Sequence, residues 1–267
     1  MNTLCALVTG ATGGIGRAIG LALAQQAQRE GRQIRLAAAA SREGAALQEV
    51  VEAWQAAGAQ AVGLAADLTD AASCASLVER AQAACGGLTL LVSNAGASVR
   101  GELATLTAEQ WDATFALNVR ATWLLAKAAR PALSASRGSI VAIASMSGLH
   151  PHPGYGAYSP AKAALVMLCR QLAQEWAADG IRVNAVCPGM IRTPLTEAVY
   201  QDADVAAQRE ALVPLARIGR GEDVAAAVAY LASAGASYVT GQQLVVDGGV
   251  ADRMLALIPG RALKPVA

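Results

Sequence analysis

Short apolar runs recur along this chain, each followed by a longer stretch whose apolar positions return every three or four residues. The first run, residues 4–9, leads into the turn Thr9-Gly10-Ala11-Thr12-Gly13-Gly14-Ile15-Gly16. A helix is expected over 15–28, where Ile19, Leu23 and Ala27 share one stripe before Gly31. Further strands are expected at 34–40, 61–65, 88–92, 139–144, 182–187 and 243–246, with helices at 45–57, 71–85, 108–130, 158–178 and 222–234. This alternation predicts an α/β fold, a doubly wound parallel sheet of about seven strands with helices on both faces. In such a fold ligands gather at the carboxyl ends of the strands. The stretch 190–215 breaks the rhythm: it is charged, lacks a strand pattern and reads as a substrate lid. No linker divides the chain, so residues 1–250 are expected to form one domain and 251–267 a tail at a subunit boundary.

Composition narrows the class. Hydrophobic residues make up 54% of the chain but aromatics only 4%, and the alanines that fill the difference suit helices packed closely on a sheet. A net charge of +1 and a pI near 7.6 give no electrostatic footprint for nucleic acid or an anionic membrane. No run approaches the roughly 18 apolar residues of a membrane span, and Met1 leads into the first apolar run without a signal-peptide pattern. Cys5, Cys74, Cys85, Cys169 and Cys187 are scattered and never spaced C-x-x-C, which reads as packed, reduced thiols in a cytoplasmic protein.

Candidate chemistry concentrates in S-M-S-G-L-H-P-H-P-G-Y-G-A-Y-S-P-A-K, residues 145–162. Tyr158 and Lys162 are four apart, one turn along one helix face. Pro160 fits only a first turn, so the helix must begin near Tyr158. A phenol titrates near pH 10, too high for neutral acid–base work. A lysine charge ~4 Å away at an effective dielectric of ~20 is worth ~4 kcal/mol, enough to lower that value by roughly three units. Ser145 ends an apolar run that would deliver it to the same rim. Y-x-x-x-K alone fits an ordinary surface pair better; the motifs around it reverse that balance. Gly10, Gly14 and Gly16 lie between a strand and a helix, where a backbone free of side chains can approach a pyrophosphate at the helix N-terminus. His150 and His152 lack a third ligand of suitable spacing, so no metal is expected. With Ser147 and Tyr155, and with Met190 and Leu195 from the lid, they are candidates to line a substrate pocket.

In identity and order these motifs resemble the short-chain dehydrogenase/reductase family in its compact, single-domain form. The resemblance runs from T-G-A-T-G-G-I-G through Asp67-Leu68, Asn94-Ala95-Gly96, Asn118 in L-N-V, Ser145, Y-S-P-A-K, Pro188-Gly189 and Thr193 to Asp247-Gly248-Gly249. The closing segment is most similar to that of 3-oxoacyl-thioester reductases. Ser93 stands where the family carries an additional asparagine. The resemblance implies a Rossmann-like fold and hydride transfer between a nicotinamide cofactor and a ketone or secondary alcohol. Tyr158 would be the general acid or base, and Lys162 would lower its pKa and hold the ribose hydroxyls. Ser145 would polarise the substrate oxygen, while Asn118 would kink its helix and hold a water that relays protons to Lys162. Gly10, Thr12, Gly13, Gly14, Ile15 and Gly16 would cradle the phosphates, and Asp67 and Leu68 would meet the adenine region. Asn94, Ala95 and Gly96 would brace the cofactor; Pro188, Gly189, Ile191 and Thr193 would sit at its nicotinamide end.

An NAD-preferring enzyme places an acid at the end of the second strand. Here Ser41 and Arg42 stand there, which favours NADP(H), while Gly13 and Glu43 leave NAD(H) open. The fold alone also admits an epimerase or dehydratase, or a non-catalytic NAD(P) sensor, although a sensor typically lacks one of the four residues Asn118, Ser145, Tyr158 and Lys162. The helices after Asn118 and Tyr158 are apolar on more than one face, which with the resemblance implies a homotetramer.

Overall fold

The computed structural model describes residues 3–194, 196–253 and 258. The chain runs β1 (Thr3–Thr9), α1 (Gly14–Arg29), β2 (Gln33–Ala40), α2 (Ala45–Ala56), β3 (Gln60–Ala65), α3 (Ala71–Cys85) and β4 (Leu90–Ser93). It continues through α4 (Ala108–Phe115), a π-helical turn (Ala116–Arg120), α5 (Ala121–Ser136), β5 (Ser139–Ile143), α6 (Tyr158–Trp176) and β6 (Arg182–Pro188). Last come β7 (Ile191–Arg192), α7 (Glu197–Tyr200), α8 (Ala203–Leu212), β8 (Gly219–Arg220), α9 (Gly221–Ala232) and β9 (Gln243–Val246). Seven strands form one sheet in the order β3-β2-β1-β4-β5-β6-β9, every neighbouring pair parallel.

The strands divide their side chains between two cores, as the two-residue period of a strand requires. Along β1, Leu4, Ala6 and Val8 join one core with Ile19 and Leu23 of α1 and Val224 and Val228 of α9. Cys5 and Leu7 join the opposite core with Leu77 of α3, Leu125 of α5 and Leu165 of α6. Because β1 pairs with β2 on one side and β4 on the other, the crossovers diverge to opposite faces beyond Thr9 and Ser93. A crevice opens there, at the switch point of the sheet.

Three expected elements come out differently. The strand expected from residue 88 begins at Leu90, because the Thr89 hydroxyl takes the N–H of Cys5 at 3.0 Å that a ladder partner would otherwise use. The helix expected over 108–130 is three pieces: Asn118 sits in the π-helical turn, and its Nδ2 donates to the Thr114 carbonyl at 2.9 Å, one turn back. A side-chain amide that bonds the preceding turn competes with the regular ladder. The stretch 190–215 is also more ordered than its pattern implied, with β7 pairing in parallel with β8 and α8 capped by Asp202, whose carboxylate accepts from the N–H groups of Asp204 and Val205. The two strands are too short to show a period, and α8 buries none of its residues and so carries no apolar stripe. Leu195 and most of the 251–267 tail, including Met254, Leu255 and Leu257, lie outside the described residues. The five cysteines are buried free thiols, and no described helix is long and apolar enough to cross a membrane.

In the first core α1 approaches α2 closely at one point, Gly20 against Trp54. Trp54 is fully buried, its Nε1 donates to the Arg17 carbonyl at 3.0 Å, and a Cβ placed on Gly20 would lie 2.0 Å from the Trp54 ring. Gly20→Ala is therefore expected to cost about 1–3 kcal/mol of stability through overpacking. Urea unfolding measures this; an unshifted midpoint would show that the ring moves aside freely.

Candidate active site

The crevice is fastened by hydrogen bonds between two strand ends. The Thr9 hydroxyl accepts from the N–H groups of Asn94 (3.0 Å) and Ala95 (3.1 Å), and Asn94 Nδ2 donates to the carbonyls of Thr9 and Gly10, both at 3.0 Å. Gly10 takes φ +62°, a backbone that side chains disfavour, and a Cβ on Gly16 would lie 2.3 Å from the Gly10 carbonyl oxygen. The turn thus closes tightly against the start of α1. Gly13 caps that helix without a side-chain bond and its first turn carries no acid, so the N–H groups there face outward without an internal competitor. Ile15, Asn94 and Gly96 line the cavity beside it; Thr12 is exposed on the turn. These features fit a dinucleotide whose phosphates rest on the α1 N-terminus. Ser41 and Arg42 are exposed just beyond β2. Beyond β3, the Asp67 carboxylate accepts from the Thr69 hydroxyl and N–H, which hold it below the usual carboxylate range, and Leu68 follows it, packed against the second core.

The rim opposite is built from β5, α6 and the π-helical turn. Tyr158 is the first residue of α6, and Pro160 falls in the first turn, where its missing N–H leaves no gap in the ladder. One turn on, Lys162 is 3% exposed and donates from Nζ to the Ile143 carbonyl at 2.9 Å. Ser145 follows β5; its oxygen accepts from the Ser147 N–H at 3.1 Å, which leaves its own proton to donate. Asn118 uses its amide nitrogen on the carbonyls of Ala97 (2.8 Å) and Thr114, and its Oδ1 is buried without a partner. A Cβ on Gly96 would lie 2.6 Å from that Oδ1 and 3.2 Å from Lys162 Nζ. The two polar atoms therefore border one small space that only glycine keeps open. A hydroxyl or water there satisfies both at once.

The electrostatics correct one expectation. Burial pushes the Tyr158 phenol above its ordinary value, the Ser145 hydrogen bond opposes that, and Tyr155 adds to it; Lys162 is not among the causes. The lysine Nζ lies 5.5 Å from the centre of the Tyr158 ring, and its own burial pulls its pKa down to about 8. Desolvation thus weakens the lysine's hold on its charge more than proximity tunes the phenol. Burial likewise pushes Cys169 up to about 12 and Cys187 up to about 11, leaving both as packed thiols near Lys162.

Tyr158, Lys162 and Ser145 share a cavity of about 560 Å³ with Ser147, His152, Tyr155, Met190, Pro188, Gly189, Ile191 and Thr193. His152 accepts from or donates to the Ser147 hydroxyl at 2.9 Å through Nδ1 and stacks on Tyr155 with ring centres 3.7 Å apart. His150 instead lines a neighbouring groove of about 880 Å³ that runs past Leu103 and Pro160. No cluster of metal-ligating side chains occurs among the described residues. Arg100 and Tyr200 also line this cavity, and nothing in the sequence singles out Arg100. Arg100 lies in the loop that leaves β4, a C-terminal strand end where any side chain is a candidate; Tyr200 ends α7, a helix of four residues within the stretch read as a lid.

A family profile described as Enoyl-(Acyl carrier protein) reductase matches residues 14–251. The chain is 38% identical over 249 residues to the 3-oxoacyl-acyl-carrier-protein reductase FabG of Escherichia coli, covering 92% of this chain and 96% of that protein. An Agrobacterium tumefaciens protein assigned as a 2-deoxy-D-gluconate 3-dehydrogenase, solved with NADP bound, superposes with a TM-score of 0.82 at 34% identity over 93% of this chain and 96% of that one. A 7α-hydroxysteroid dehydrogenase in complex with NADH and 7-oxo-glycochenodeoxycholic acid superposes at 0.85 with 28% identity, covering 92% and 93%.

The buried lysine carries a testable cost. Unfolded, Lys162 titrates near 10.5; folded, near 8. The unfolded chain therefore binds the proton more tightly, so the penalty is complete below about pH 8 and vanishes above about 10.5. Lys162→Met removes about 3 kcal/mol of penalty at pH 7 and forfeits about 1 kcal/mol for the bond to Ile143. Thermal melts are expected to show the variant more stable than the parent at pH 7 and the advantage gone at pH 10.5. Equal stability at pH 7 would mean that the desolvation of the ammonium costs no more than its bond to Ile143 returns.

Proposed function

The chain belongs to the short-chain dehydrogenase/reductase family of NAD(P)-dependent oxidoreductases, and from that premise we propose that it interconverts a carbonyl compound and a secondary alcohol with Tyr158 as general acid or base. The observation that carries this reading is the convergence of the Tyr158 phenol, the Ser145 hydroxyl, Lys162 Nζ and the unpartnered Asn118 Oδ1 at one strand-end rim beside a glycine turn. A bound nicotinamide supplies or accepts the hydride at the substrate carbon. Ser145 donates to the substrate oxygen and stabilises the charge that develops on it. In reduction Tyr158 gives its proton to that oxygen; in oxidation its oxygen takes the proton back. Lys162 keeps two N–H donors beyond the one spent on Ile143, enough to hold ribose hydroxyls and to bond a water held on Asn118 Oδ1, which would relay protons to the lysine. Lys162→Ala is accordingly expected to impair both turnover and cofactor binding.

NADP(H) is the favoured cofactor, because Ser41 rather than an acid directly follows β2 and the exposed Arg42 beside it can pair with a 2′-phosphate, ahead of Glu43. Two further features bear on assembly and setting. Trp123 and Met167, exposed on α5 and α6 at 43% and 57%, and Leu244 and Val245 on the edge strand β9 are apolar surface suited to cover by further copies, in keeping with a homotetramer. Five buried free thiols suit the reducing cytoplasm.

Tyr158→Phe is expected to lower turnover of a ketone panel to below a few per cent while NADPH binding survives, as followed by NADPH absorbance and fluorescence. Because burial raises the Tyr158 pKa, alcohol oxidation is expected to quicken with pH through the alkaline range; a rate already level at pH 7 would point to another base. A higher kcat/KM with NAD than with NADP, unaffected by Arg42→Ala, would overturn the cofactor preference. Light scattering that returns a monomer at micromolar concentration would overturn the assembly.

A further inference from the structure

Two guanidinium groups stand at the mouth of the catalytic cavity without a carboxylate to neutralise them. Arg100, in the loop beyond β4, lies 5.2 Å from the centre of the Tyr155 ring and lines the cavity. Arg209, on α8, lies 5.6 Å from the centre of the Tyr200 ring, a buried residue that lines the same cavity. Among the described residues neither arginine has an aspartate or glutamate oxygen within 4.0 Å. Arg192 is a contrast: it covers Tyr200 as well, at 5.8 Å, but is already forked onto the Glu197 carboxylate.

The two free charges converge although they come from distant parts of the chain. Both bear on the His152 imidazole, whose pKa is lowered first by burial, then by Arg209 and then by Arg100. His152 stacks on Tyr155, and the centre of the Tyr155 ring is 6.4 Å from that of Tyr158. Arg100 is thus separated from the Tyr158 ring by the ring of Tyr155, while Arg209 covers Tyr200 on the wall of the same cavity. The charged side chains that line the cavity, Arg100 and Lys162, are both basic, and no aspartate or glutamate is among its described lining. A concave site of one sign concentrates ligands of the other. A guanidinium that rests on a ring keeps its N–H edge for hydrogen bonds, and that edge matches an oxyanion group.

We propose that the substrate carries an anionic group, a carboxylate or a sulfonate, that docks between Arg100 and Arg209 while its carbonyl or alcohol meets Tyr158 and Ser145. The site is then selective for oxo acids and hydroxy acids over neutral ketones and alcohols of the same shape. This rests on the oxidoreductase reading above, and neutral substrates separate the two ideas.

The test compares 3-oxohexanoate with its methyl ester, and Arg100→Met, Arg209→Met and the double variant with the parent. The parent is expected to use the acid with a kcat/KM about ten- to a hundredfold above that of the ester, mostly through KM, as loss of a charge-assisted contact implies. That acid-to-ester ratio is expected to fall about tenfold in each single variant and to approach unity in the double. In parallel, isothermal titration of the parent with NADP⁺ present is expected to show hexanoate or hexanesulfonate binding and hexanamide not binding. The stronger of the two anions identifies the group recognised, and loss of that binding in the double variant places it at these arginines. Turnover of acid and ester at equal efficiency, or a ratio unchanged in the double variant, overturns the anion site and leaves the oxidoreductase reading standing. Anion binding that the double variant loses, in a protein that reduces neither compound, supports the anion site and overturns the reading. Neither binding nor turnover overturns both.

Discussion

The Thr9–Asn94 clasp is the contact on which the site depends. It joins the ends of β1 and β4 where the sheet changes direction, and the positions of other groups follow from it. One arm reaches the Gly10 carbonyl and fixes the turn that opens α1. The loop that continues from Asn94 carries Gly96 and Ala97, and the Ala97 carbonyl in turn holds the amide of Asn118. Asn118 and Lys162 then face each other across Gly96, and Lys162 is anchored to the end of β5. Three strand ends, those of β1, β4 and β5, are thereby linked into one rim by a series of short polar contacts, each made by a side chain that cannot be exchanged for an apolar one without leaving a buried group unpaired.

That rim stores an unfavourable arrangement on purpose. An ammonium with a single protein acceptor, an amide oxygen with none and a phenol driven towards neutrality all sit within the same few residues. Elsewhere the interior is conventional: close-packed alanines and leucines on both faces of a parallel sheet. Local rules that hold through most of a fold and fail together in one place mark the region selected for something other than stability.

Much of this was legible in the sequence, for identifiable reasons. Strands buried on both faces advertise themselves as unbroken apolar runs, and a glycine turn between strand and helix is a local pattern. Tyr158, Pro160 and Lys162 lie within one helical turn, so their proximity needed no tertiary information. What escaped depended on depth or on long-range approach. Whether Lys162 tunes Tyr158 or is itself depressed depends on burial, which the four-residue spacing does not encode. The π-helical turn at Asn118 leaves the apolar periodicity around it nearly intact. Arg100 and Arg209 are ordinary loop and helix charges until the fold brings both to His152. The short β7–β8 pairing joins two dipeptides, too brief for any pattern to show.

The central position of β1 also has a consequence in time. It is synthesised before every other strand of this sheet, yet the partner on one of its edges begins only after Thr89, a residue that bonds Cys5 across 84 positions of sequence. At roughly 5–20 residues per second, translation leaves that edge of β1 open for roughly 4–17 s before β4 leaves the ribosome. During this interval a strand of Leu4, Cys5, Ala6, Leu7 and Val8 can pair only with β2, and its other row of amides and carbonyls stands open to any passing strand. The topology that creates the binding crevice therefore leaves the newborn β1 with an open edge for a chaperone to shield.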